Sequence, residues 1–155
     1  MPMIHFFGHP TATVYALQTT GEISTQDSEK LSWLFGGAPK INAASIDAFF
    51  IGPRAAMVTP WSTNATEITQ NMGVSGMIRI ESFSSCKENS STFDPMLSAK
   101  YAQLDQAIFK VTTTPEPVLE IEDIAAYNKQ EGLALSAEEV EYLDSIAKKI
   151  DRKLT

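Results

Sequence analysis

The stretch GPRAAMVTPWSTNATEITQNMG, residues 52–73, contains the change of pattern that bears most on the fold. A short apolar segment runs into Pro60 and Trp61, and a helical pattern follows. We predict a helix from about Asn64 to Met72, because Asn64 and Glu67 have the spacing of a capping box. Its apolar face would consist of Ala65, Ile68 and Met72. Extended chain running directly into a helix favours a fold that combines strands and helices.

The segments on either side of this stretch predict the other elements. Short β-branched and aromatic runs predict strands at residues 3–8, 12–20, 45–52, 55–61 and 76–83, with a further strand at 110–114. A turn or bulge is expected at Gly52 and Pro53. Helical spacing predicts helices at residues 24–35, 95–109 and 136–150. The resulting fold class is α+β, a small mixed or antiparallel sheet with helices packed on one face, followed by an amphipathic helical segment.

The charge distribution predicts two domains. Residues 1–115 contain seven basic and nine acidic side chains, whereas residues 116–155 contain five basic and ten acidic ones. The composition therefore changes near Pro115, which lies in a Pro-Glu-Pro segment typical of a linker. We expect an N-terminal α+β domain at 1–115 and an acidic helical segment at 116–155.

The composition argues against several classes of function. A net charge of −7 without a basic stripe disfavours binding to nucleic acid or to an anionic membrane surface. We find no apolar run of membrane-spanning length and no leader pattern at the start, and the single Cys86 cannot form an internal disulfide. A cytoplasmic location is the simplest expectation, and no cluster with metal-ligand spacing is present in the sequence.

Five residues are candidates for contact with an anion or with another domain: Arg54, Thr59, Trp61, Ser62 and Asn64. A helix start offers free backbone N–H groups and a partial positive charge, and an arginine can bind a phosphate or carboxylate through two donors. The alternative is that these residues are ordinary helix caps, and that the Trp61 side chain packs where the extended chain meets the helix. No residue is predicted to be catalytic, because His5, His9 and Cys86 lack partners at a recognisable spacing.

The same stretch resembles a known family. Pro53-Arg54, the segment Thr-Pro-Trp-Ser at 59–62, Ala65 and Ile68 are similar to the N-terminal region of the large, single-chain form of phosphoribosylformylglycinamidine synthase. Residues 132–155, GLALSAEEVEYLDSIAKKIDRKLT, resemble the start of that family's linker. One departure is Asp151-Arg152, where the family usually has Gly-Arg.

The resemblance implies a domain like the small separate subunit (PurS) of the split form of that enzyme, followed by the first helix of the linker. It also implies a non-catalytic assembly module whose partners are the synthetase and glutaminase domains of the same parent chain. ATP and Mg²⁺ would serve the parent glutamine-dependent ligase, and the chain alone would be inactive. A free-standing binding or regulatory domain of the same fold is the alternative.

Overall fold

The computed structural model describes residues 2–112 and 114–155. These residues form two compact units, Met1–Thr112 and Thr113–Thr155, and each unit is described by itself. The predicted boundary between two domains at residue 115 stays a prediction, because compactness and independent folding are different properties. Within the described residues, no helix is both long enough and apolar enough to cross a membrane.

The first unit contains an antiparallel sheet of six strands. In chain order the strands are β1 (Met3–Gly8), β2 (Thr13–Thr19), β3 (Lys40–Ile41), β4 (Phe50–Pro53), β5 (Met77–Ser85) and β6 (Ser98–Tyr101). They are arranged in the order β3-β1-β2-β5-β4-β6, and each neighbouring pair is antiparallel. In this order β2 and β5 are the two central strands, and they pair along most of their length.

Helices α1 (Thr25–Leu34) and α2 (Pro60–Asn71) contribute to the apolar cluster on one face of the sheet. Ser24 caps α1 by accepting a hydrogen bond from the N–H of Asp27. The cluster joins Leu31 of α1 and Ala65 of α2 to sheet residues, which are Phe7, Leu17 and Ile80. This arrangement confirms the predicted α+β fold with helices on one face, since alternate residues of each strand point to opposite faces.

The opposite face is covered by chain that forms neither helix nor long strand. Its cluster contains Phe6, Val14 and Phe83 from the sheet. Ile46 and Leu104 pair as an isolated bridge, and their side chains are buried in the same cluster together with Ile108 and Phe109. Both faces of the sheet are therefore shielded from water, one by helices and the other by irregular segments.

The second unit contains helices α3 (Ile124–Glu131) and α4 (Ala137–Lys149), which contact each other. Ser136 and Glu139 form a capping box at the start of α4. The apolar residues Val140, Leu143 and Ala147 of α4 are half-buried, whereas Ile150, which follows the helix, is exposed. Asp151 adopts a left-handed φ of 49°, a conformation that glycine favours.

Three sequence predictions were wrong around the sheet edge. Residues 95–109 contain β6 and irregular chain instead of a helix, because β4 pairs with β6 along its outer edge. Gly52 and Pro53 lie within β4 instead of forming a turn. Residues 55–59 form no strand. The helix prediction for residues 95–109 rested on the spacing of apolar residues such as Leu104 and Ile108. In the structure these side chains are buried because they pack on the sheet, and the spacing alone could not show this.

The predicted start of α2 was also wrong. The helix begins at Pro60 and is capped by Thr59, so Asn64 and Glu67 lie inside it and do not form a capping box. Ile68 of the predicted apolar face is 51% exposed, whereas Ser62 and Thr69 are the buried residues of α2. The predicted strand at 110–114 is absent from 110–112 and from 114, and residue 113 lies outside the described residues.

Candidate interaction site at the start of helix α2

The start of α2 is held by a buried carboxylate. Thr59 lies at the N-cap, and its side-chain oxygen accepts a hydrogen bond of 3.0 Å from the N–H of Ser62. The N–H of Thr59 donates to Glu81 over 3.0 Å, and its hydroxyl donates to the other carboxylate oxygen over 2.7 Å. Glu81 therefore holds the N-cap residue of α2 through both its backbone N–H and its hydroxyl.

Glu81 is neutralised by Arg79, two residues earlier on β5. Arg79 Nε lies 3.1 Å from Glu81 Oε1, and the two residues are only 5% and 1% exposed. A buried charge without a partner is costly, so each of these side chains depends on the other. The pair is also directly connected to the backbone around it, because Glu81 binds Thr59 and Arg79 binds carbonyl groups.

Arg79 fixes the segment that precedes α2. Its Nη1 donates to the carbonyl of Ala55 over 2.6 Å, and its Nη2 donates to the carbonyls of Arg54 and Met57. Its guanidinium carbon lies 4.4 Å from the centre of the Phe109 ring. We call residues 54–62 the corner. The corner is thus held by one arginine and one glutamate on β5.

One further contact connects the corner to the sheet, and a second joins β6 to the last residue of β4, just before the corner. The N–H of Ile80 donates to the side-chain oxygen of Ser62 over 3.1 Å. Ile80 lies in the part of β5 that has no pairing with β4, because that pairing is limited to Ser84 and Ser85. The hydroxyl of Tyr101 donates to the carbonyl of Pro53. Burial raises the pKa of Tyr101 above its usual value; the neighbouring Arg79 lowers it and Glu81 raises it. The neutral, hydrogen-bonded phenol is therefore favoured at neutral pH.

The outward side of α2 carries an apolar stripe. Trp61 is 45% exposed, and its ring stacks on Tyr15 with centroids 6.1 Å apart. Trp61, Asn64 and Ile68 line one side of a groove of about 270 Å³. The other side is formed by residues at the end of α1, which are Leu34 and Phe35. The groove is open and mainly apolar, and no described charged side chain lines it.

Arg54 lies at the opposite end of the corner. Its side chain is exposed, and Nη1 approaches the carbonyl of Met96 at 3.4 Å. Its backbone N–H donates to the carbonyl of Leu97, so the corner also contacts the segment before β6. Met96 and Leu97 are themselves exposed apolar residues.

The structure brings the five candidate residues onto one corner and the helix that follows it, but it gives them different roles. Thr59 and Ser62 use their side chains for bonds within the protein. Arg54, Trp61 and Asn64 are exposed. Contact of these residues with an anion or with another domain stays a prediction, because no ligand or partner is present.

Sequence reasoning missed the residues that hold the corner. Arg79 and Glu81 alternate with apolar residues in a predicted strand, and several residues of this strand are buried. Charged residues in such a strand were the signal that could have pointed to them. Opposite charges two residues apart share one face of a strand, so an ion pair was predictable, but its burial was not. Among the remaining candidates, the ring of His5 contacts the carbonyl of Gly21, and Cys86 has a free thiol.

Comparison with known protein families gives a match that includes the corner. The family model described as formylglycinamide ribonucleotide amidotransferase N-terminal matches residues 12–114. The matched region covers well over half of the chain and contains α1, α2 and the strands from β2 to β6.

Proposed function

Because the chain belongs to the family of formylglycinamide ribonucleotide amidotransferase N-terminal domains, we propose that it is the non-catalytic assembly module of such an enzyme. The family belongs to an amidotransferase of purine biosynthesis, and the match agrees with the resemblance carried by residues 53–68. The parent reaction proposed here is the ATP- and glutamine-dependent conversion of formylglycinamide ribonucleotide to its amidine.

The observation that carries the assembly role is the exposed stripe of α2, together with the buried polar network that holds the start of this helix. Trp61 and Ile68 are half-exposed large apolar residues on one side of a surface helix. Such groups are favourable partners for an apolar surface when they are held in place before binding. Arg79 and Glu81 hold the helix start and the segment before it through hydrogen bonds, so little order has to be gained on docking.

The proposed partners are the synthetase and glutaminase domains of the parent chain, with the α2 groove facing the synthetase domain. In this proposal ATP and Mg²⁺ bind to the synthetase domain, and the glutaminase domain supplies the nucleophile that releases ammonia. Arg54 would contribute a rim contact, where its five donors suit a carboxylate of the partner. A cytoplasmic location is part of the same proposal.

A binding experiment tests the assembly role. The chain is titrated against a formylglycinamide ribonucleotide amidotransferase that lacks its own N-terminal domain, and the dissociation constant is measured by calorimetry. We expect Trp61→Ala to weaken binding by at least about tenfold, as truncation of a central aromatic anchor does. Trp33→Ala is the matched control, because Trp33 is 72% exposed in the same unit but lines a different depression.

Equal affinities for wild type and Trp61→Ala would argue against docking through α2. A second assay addresses catalysis, in which ADP release is followed with the chain alone, ATP, glutamine and formylglycinamide ribonucleotide. We expect no turnover, and turnover would overturn the assembly role. Saturable nucleotide binding without turnover would favour the alternative of a free-standing regulatory domain.

A further inference from the structure

Residues 104–109, which we call the strap, cover the sheet face opposite the helices. Leu104, Ile108 and Phe109 are buried in one cluster with Phe6 and Phe83 of the sheet. The strap contains neither helix nor strand, so its position depends on side-chain packing and on a few hydrogen bonds. Segments with sparse backbone pairing open at lower free energy than the strands beneath them.

One hydrogen-bonding side chain fastens the strap to β1. The amide oxygen of Gln106 accepts a bond of 2.8 Å from the N–H of Ile4, and its nitrogen donates to the carbonyl of Ile4, also over 2.8 Å. The same nitrogen donates to the carbonyl of Ala44 over 3.1 Å. The pairing of β1 with β3 covers only Phe6 and Phe7, so Gln106 takes the place of a strand residue beside Ile4. A side-chain amide can do this because it has the same donor and acceptor as a peptide group.

The other end of the strap contacts the network under the corner. The Phe109 ring lies beneath the Arg79 guanidinium, and Phe109 is 9% exposed. On its edge, the same guanidinium bonds to Glu81 and to three carbonyl groups of the corner. An aromatic face attracts a cation more strongly when both are removed from water. Arg79 is therefore the physical connection between the strap and the corner.

We propose that the strap positions the corner through Arg79, and that Phe109 is the positioning residue. When the strap opens, water reaches the face of the guanidinium and competes for the carbonyls of Arg54, Ala55 and Met57. Hydrogen bonds weaken when their surroundings become more polar, so the corner loosens together with the strap. The use of this coupling in assembly rests on the proposed function, but the coupling itself does not.

Hydrogen–deuterium exchange of the whole chain, read by mass spectrometry, tests the coupling. Gln106→Ala removes the fastening at Ile4, and neither Ile4 nor Ala44 belongs to the corner. We expect exchange to become about tenfold faster in the strap and also in residues 54–62, since both then open together. Gln103→Ala is the matched control, because Gln103 is exposed and its amide bonds to the neighbouring Asp105 side chain. It should leave exchange in the corner unchanged.

A second variant keeps the test decisive if Gln106→Ala unfolds the unit. Phe109→Leu retains an apolar side chain in the cluster and removes the ring that faces Arg79. We expect faster exchange in residues 54–62 with β1 and β2 still protected. The coupling is overturned if Phe109→Leu leaves exchange in the corner unchanged, or if Gln106→Ala accelerates the strap alone. If the coupling holds but Trp61→Ala does not affect partner binding, only the assembly role fails.

Discussion

Arg79 and Glu81 show how much of the candidate site depends on two side chains of one strand. Both are almost fully buried, and together they bind the backbone of four corner residues, which are Arg54, Ala55, Met57 and Thr59. By contrast, Arg54 is exposed and its side chain makes one long hydrogen bond. Two arginines of the same unit therefore have opposite roles, one internal and one at the surface.

This contrast gives a residue-scale prediction. Arg79→Met should lower the free energy of unfolding by about 3–5 kcal/mol, because it leaves Glu81 buried without its partner. Arg54→Ala should change it by less than about 0.5 kcal/mol, as expected for a surface substitution. Urea denaturation of both variants, followed by circular dichroism, measures the difference. Similar losses for the two variants would mean that Arg79 is not held in the buried pair.

Tyr101 gives a pH prediction at the same scale. Burial raises the pKa of its phenol above 10.0, so the folded state retains the proton over a range where the unfolded chain has lost it. The resulting stability is fully present below pH 10 and is lost as the pH rises through the folded-state pKa. The advantage of wild type over Tyr101→Phe in urea midpoint should therefore shrink above about pH 10. A constant advantage between pH 8 and pH 11 would contradict the raised pKa.

At the scale of elements, β4 depends on a glycine that the sequence predicted to lie in a turn. A Cβ atom at Gly52 would lie 2.2 Å from the Phe83 ring, so β4 can approach the centre of the sheet only with glycine at this position. The ring in turn lies edge-on to Tyr101 of β6, with centroids 5.3 Å apart. The path of β4, and with it the position of the corner, therefore follows from one close contact between elements.

We predict that Gly52→Ala destabilises the first unit by roughly 1–3 kcal/mol, the usual cost of overpacking a filled core. Gly21→Ala is the control, because no atom lies within 4 Å of a Cβ added at Gly21. Thermal unfolding of both variants should show a lower midpoint for Gly52→Ala alone. Equal midpoints would indicate that the Phe83 ring can move aside at little cost.

At the scale of the whole molecule, exposed chain follows the first unit. The described residues between Lys110 and Ile121, at 111–112 and 114–120, are exposed and form no helix or strand. A protease needs such extended and accessible chain, so limited proteolysis should cut first between residues 115 and 136. A glutamate-specific protease should act after Glu120, with mass spectrometry of the early fragments as the readout. Early cleavage after Glu67 in α2 would contradict the expected order of stability.

The sequence by itself determined the class of the fold, the first two strands, α1, β5 and α4. These features depend on neighbours close along the chain, since periodicity and caps act within a few residues. It also pointed to the family through the residues around Trp61, and the match to residues 12–114 confirmed that family.

Only the tertiary structure decided which residues serve the candidate site. The pairing of β4 with β6, the bonds of Glu81 to Thr59 and the contact of Phe109 with Arg79 join residues that are 22 to 51 positions apart. Glu81 holds Thr59 at the N-cap of α2, and Tyr15 stacks on the half-exposed ring of Trp61. Such contacts depend on how distant segments pack, and local sequence patterns contain no information on that distance.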